Sequence, residues 1–115
     1  MKSFAREISS NVLIEIVNIE RATYKETDEF RNILLKDIEG GWRNIVIDLK
    51  NNKFMDSTFL GSMITALKTL SKLGGDLRIA GAHGDSQAIL EFTGTSRVFK
   101  TFKTREAAVQ SFKVD

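Results

Sequence analysis

Asn44-Ile45-Val46-Ile47-Asp48-Leu49 is a nearly continuous apolar run of strand length, and such a strand needs both of its faces covered. It predicts the central strand of a sheet with helices packed against it. On either side of the run the period changes to that of a helix. Upstream, Phe30, Ile33, Leu34 and Ile38 recur at helical spacing, Thr23 and Glu26 form a capping box, and Gly40-Gly41 closes the segment. Downstream, after an Asn51-Asn52-Lys53 turn, Leu60, Met63, Ile64, Leu67 and Leu70 describe a second amphipathic helix ending at Gly74-Gly75.

The remaining segments continue the alternation. Residues 12–17 (VLIEIV) are rich in β-branched side chains and bounded by Asn11 and Asn18, as a buried strand would be. Residues 3–9 supply a weaker candidate for an edge strand beside it. Residues 77–81 give another short strand, and residues 86–92 a short helix with Ala88, Ile89 and Phe92 on one face, closed by Gly94. A last strand is expected over 98–102, and Thr104, Glu106, Ala108 and Val109 begin a C-terminal helix. Strands alternating with helices imply βαβ units, an α/β class and a parallel or mixed sheet with right-handed crossovers.

Composition narrows the chemistry. With 115 residues and 42% hydrophobic content, the chain suits one domain over 1–115. Its net charge of +2 is too small and too evenly spread to suggest a nucleic-acid groove. There is no Cys, which excludes disulfides and thiolate chemistry, and no cofactor motif stands out. The early charges Lys2, Arg6 and Glu7 do not suit a secretory leader, and no apolar run approaches the roughly 20 residues of a membrane span. A soluble, cytoplasmic protein is the expectation.

Several blocks taken together resemble a known family. They are residues 44–49, then Phe54-Met55-Asp56-Ser57-Thr58-Phe59-Leu60-Gly61, then residues 73–81 (LGGDLRIAG), Ile89-Leu90-Glu91-Phe92-Thr93-Gly94, Val98-Phe99 and Arg105-Glu106-Ala107-Ala108. In order and spacing they resemble the STAS domain of bacterial anti-sigma factor antagonists. The resemblance implies a single STAS-like α/β domain with a four- to five-stranded mixed sheet packed by about four helices, which binds proteins and catalyses nothing. It implies a phosphoacceptor at Ser57. It implies as partners an anti-sigma factor or related ATP-dependent serine kinase, which the unmodified form binds, and a metal-dependent serine phosphatase, which restores that form. Glu20 and Thr23 are the best matches to the family's aspartate and threonine after the second strand, and Phe59 replaces a common glycine.

The residues themselves suit such a switch. A hydroxyl at the start of a helix projects past the sheet edge, near unpaired N–H groups and the positive end of the dipole. A phosphate there would add about −1.5 to −2 charge beside Asp56. Thr58 is the alternative acceptor. Asp56 is read as the helix N-cap in preference to an orienter of the Ser57 hydroxyl. The expected partner-binding set is Asp56, Ser57, Thr58, Phe59, Gly61, Glu20 and Thr23. For Phe59 two roles stand: packing, which its helical spacing to Met63 and Ala66 favours, or an apolar contact for a specialised partner.

Other readings carry different demands. A constitutive subunit of a larger assembly, stressosome-like or lipid-transporting, would keep the fold without phosphorylation, with an exposed Phe59 as its best argument. A small hydrolase built on Ser57 and His83 would need an oxyanion loop and a base with an orienting partner, and neither is evident. His83 is expected to be an exposed loop residue, and Trp42 a packed anchor at a strand entry. Lys50, Lys53 and Lys100 are expected on a solvated face.

Overall fold

A computed structural model describes residues 2–113. The strand β1 (Phe4–Ser9) and β2 (Val12–Val17) form an antiparallel hairpin. Ser10 and Asn11 join them with φ of 50° and 63°, the left-handed pair that a two-residue hairpin turn requires and that Asn tolerates well. The chain then makes the short β3 (Arg21–Ala22), the helix α1 (Tyr24–Glu39), β4 (Asn44–Asp48), the short β5 (Phe54–Met55) and the helix α2 (Ser57–Lys72). It ends with β6 (Asp76–Ala80), α3 (Gly84–Phe92), a 3-10 turn at Thr95–Arg97, β7 (Thr101–Phe102) and α4 (Arg105–Lys113). The main sheet has the order β1-β2-β4-β6-β7, with every pairing parallel except that of β1 with β2.

β4 therefore lies in the middle of the sheet, and its continuous apolar run is explained by two covers. On one face Leu13, Val17, Ile45, Ile47 and Ile79 join Phe30, Leu34, Phe59, Met63 and Leu70 of α1 and α2 in the larger core. On the other, Val12, Ile14, Val46 and Ala80 pack against Ala108 and Val109 of α4. An ion pair fixes α4 in place, since Arg105 Nε donates to the buried Asp48 Oδ2 at 2.8 Å and the guanidinium also meets Glu7. Burial alone would lower the Arg105 pKa, but the Asp48 hydrogen bond and charge more than offset it and hold the group above its ordinary value. At the entry to β6, Gly75 lies so close to the Arg43 carbonyl that an added Cβ would stand 2.4 Å from its oxygen. Asp76 N–H donates to the same carbonyl at 2.9 Å.

Two expectations fail in the C-terminal third. α3 turns Ser86 and Leu90 inward, not Ala88 and Phe92, and Phe92 is 93% exposed. The reason is polar: Ser86 Oγ bonds the buried Asn52 side chain, and its N–H donates to the Lys53 carbonyl at 3.0 Å. Once Ser86 is fixed, the i, i+4 relation brings Leu90 under it and sends Phe92 to solvent. The strand expected over 98–102 shrinks to Thr101–Phe102. The preceding residues close a turn in which Val98 and Phe99 N–H both donate to the Thr95 carbonyl, so Phe99 is buried while Val98 is exposed.

Candidate functional site

The site lies beyond the C-terminal ends of β2 and β4, where an open α/β sheet ordinarily presents its functional groups. Two very short strands shape it. β3 and β5 pair in parallel, Arg21 opposite Phe54 and Ala22 opposite Met55, and Asp56 N–H donates to the Ala22 carbonyl at 3.0 Å. Each leads directly into a helix, so the N-termini of α1 and α2 emerge side by side.

Asp56 joins those two ends. It is the N-cap of α2, where its Oδ1 accepts from Phe59 N–H at 2.9 Å, and its Oδ2 accepts from Tyr24 N–H, the first residue of α1, at 2.8 Å. The cap expected from sequence is present, and its second oxygen does a job the sequence did not disclose. Both carboxylate oxygens are engaged by main-chain donors at two positive helix ends, which makes Asp56 a structural bridge rather than an orienter of the neighbouring hydroxyl. Thr23 caps α1, with the capping box to Glu26 complete: Lys25 N–H donates to Thr23 Oγ1 at 3.3 Å and Thr23 N–H to Glu26 Oε1 at 2.9 Å.

Ser57 and Thr58 occupy the first two positions of α2 and are exposed. Gly61, one turn on, is half-buried, and an added Cβ there would meet nothing within 4 Å. Together these residues form an outward strip without bulky cover. Glu20 is exposed at the rim, its carboxylate 3.9 Å from Lys53 Nζ, while its main-chain carbonyl accepts from the N–H groups of Lys53 and Phe54, both at 2.9 Å. Arg21 lays its guanidinium over the Phe54 ring at 4.3 Å.

Phe59 is fully buried. Its ring stacks on Phe30 at 4.8 Å and lies 6.4 Å from Phe4, so packing is the role observed and the direct partner contact assigned to its side chain is corrected. Three rings from β1, α1 and α2 thus meet beneath the site. With Phe59 inside, the feature that favoured a constitutive assembly subunit disappears. His83 is the exposed N-cap residue of α3, and its Nε2 donates to the Lys50 carbonyl at 2.8 Å rather than bonding Ser57. Trp42 packs partly buried against the larger core.

Asn52 was missed as an organising residue. It is fully buried, and its Nδ2 donates to the Ile19 carbonyl at 3.0 Å and the Phe54 carbonyl at 2.9 Å while its Oδ1 accepts from Ser86. It ties the loops after β2 and β4 to α3 and to β5, the strand that leads into α2. The Asn51-Asn52 pair signalled a turn, but two equal amides gave no means of telling which one points inward.

The STAS domain model matches residues 7–108, and the chain belongs to the STAS domain family. Among curated relatives, the anti-sigma-B factor antagonist of Staphylococcus aureus is 33% identical over 66 residues, covering 57% of this chain and 61% of that protein. The match therefore spans about three fifths of the relative's length. Among solved structures, the Thermotoga maritima protein TM1081 superposes with a TM-score of 0.88 at 22% identity, covering 94% of this chain and 92% of that one. The Bacillus cell fate determinant SpoIIAA in its phosphorylated form gives 0.75 at 16% identity over 95% and 98%. At these identities the structural likenesses establish the fold. Among the described residues no helix is long and apolar enough to cross a membrane.

Proposed function

We propose that this chain is an anti-sigma factor antagonist that works by partner switching in the cytoplasm. In its unmodified form it binds an anti-sigma factor with serine kinase activity. That kinase transfers the γ-phosphoryl group of ATP to Ser57 Oγ, releasing ADP and the hydroxyl proton, and the modified chain dissociates. A metal-dependent serine phosphatase then hydrolyses the phosphoester with water, returning the hydroxyl and free phosphate. The chain itself is a binding module and not the catalyst of either step.

The observation that carries this reading is the exposed Ser57 at the first position of α2, on an edge held rigid through Asp56. A phosphate at that position meets the positive helix end and is tolerated by the fold. It also sets new negative charge beside the Asp56 carboxylate, and a partner surface shaped for a neutral hydroxyl must then accommodate two adjacent anionic groups. A hundredfold loss of affinity requires only about 2.7 kcal/mol. Thr58 is the alternative acceptor, Glu20, Thr23 and Gly61 belong to the contact face, and Asp56 acts by positioning.

The test compares two variants on the cognate kinase by calorimetry. Ser57→Ala is expected to bind within a few-fold of the unmodified chain, and Ser57→Asp at least tenfold more weakly. Equal affinities for the two variants would remove the switch.

A further inference from the structure

Away from that edge, a cavity of about 500 Å³ lies between β1 and the last turns of α1, lined by Lys2, Phe4, Ala5, Arg6, Glu15, Ile33, Lys36 and Asp37. Two carboxylates form its inner wall. Glu15 of β2 and Asp37 of α1 each have side chains only 2% exposed, and both lie against the same Arg6 guanidinium nitrogen. Two ionised carboxylates offer each other no donor, whereas a proton on one of them allows it to donate to the other. Asp37 Oδ2 is buried without a partner among the described residues, and a proton on Glu15 would satisfy it. The remaining charge is met by Arg6 of β1, whose Nη2 lies 3.3 Å from Glu15 Oε2 and also donates to Asp37 Oδ1.

We propose that a protonated Glu15, buried against Asp37 and Arg6, forms a latch that holds the edge strand β1 to α1 and loosens when that proton is lost. The groups facing the pair are few. β1 and the residue group before it contribute Arg6 and Lys2, α1 contributes Lys36, and β4 presents the apolar Ile47 opposite Glu15. Arg6 is itself half-exposed and Asp37 sits near the negative end of α1, so ionising both acids leaves two like charges in a poorly compensated site. Burial first, then the Asp37 hydrogen bond and charge, push the Glu15 carboxyl up to about 8, against the lowering effect of Arg6. β1 has a sheet neighbour on one side only, so its displacement would open the pair to water.

Two measurements on the full chain decide the matter. Carbon-detected NMR titration of the Glu15 carboxyl is expected to give a midpoint close to 8, and a midpoint between 4 and 5 would overturn the proposal. Amide exchange, corrected for intrinsic rates, is expected to show at least a tenfold loss of protection in Phe4–Ser9 relative to Asn44–Asp48 between pH 6.5 and 9. Glu15→Gln, which cannot ionise, and Asp37→Asn as a second variant are both expected to abolish that loss. A wild-type chain that keeps its protection, or variants that lose it equally, would refute the latch.

Discussion

The two ends of α1 hold carboxylates in opposite circumstances. At its N-terminus Asp56 lies among main-chain N–H groups of two helices, where each oxygen has a donor. Near its C-terminus Asp37 lies buried against the Arg6 guanidinium that also meets Glu15, with its Oδ2 unpartnered among the described residues. The same side chain type thus serves as a doubly capped anchor in one place and as one half of a buried acid pair in the other. Location along the helix dipole and access to donors decide which. Main-chain capping is accordingly concentrated under the proposed Ser57 switch, and the proposed pH-sensitive latch lies at the opposite end.

Breaking the rigid end should cost most. Phe59→Ala removes an outer ring of the stack that Phe30 centres between Phe4 and Phe59 and should lower unfolding free energy by about 3–5 kcal/mol, read by urea denaturation. A loss under 1 kcal/mol would mean that the rings do not support the site. Asp56→Ala removes capping bonds at two helices and should cost about 2 kcal/mol in the same assay, with Asp56→Asn retaining roughly half. Equal, negligible effects of the two Asp56 variants would show that the bridge contributes nothing.

The sensitive end is sharpened by pH. The folded chain retains the Glu15 proton up to about pH 8, whereas the unfolded chain releases it around the ordinary 4.5, so between these values the native state binds more protons. The associated stabilisation is complete below pH 4.5 and is lost as pH rises towards 8, at no more than about 1.4 kcal/mol per unit. Denaturation midpoints of the wild type should fall across that window more steeply than those of Glu15→Gln. Parallel curves would contradict a protonated Glu15.

Much of this arrangement was legible beforehand, for identifiable reasons. The β2, β4 and β6 strands and the α1 and α2 helices carry long, consistent periods, and the Thr23-Glu26 box and the Asp56 cap are local chemistry. β3 and β5 were not legible, because two-residue strands leave no period. α3 was misread because a buried Ser86 occupies a place the apolar pattern assigns to solvent. The acid pair did leave a trace: Glu15 interrupts a buried strand, and Asp37 falls on the same helical face as Phe30, Ile33 and Leu34. What the sequence withheld was that these two breaks, 22 residues apart, meet across one layer of packing.

The central claim concerns Ser57, and phosphopeptide mapping after reaction with the cognate kinase and ATP tests it most directly. The account predicts one phosphate per chain, localised by fragmentation to Ser57, and none on the Ser57→Ala variant. Stoichiometric phosphate elsewhere, or full modification of Ser57→Ala, would contradict it.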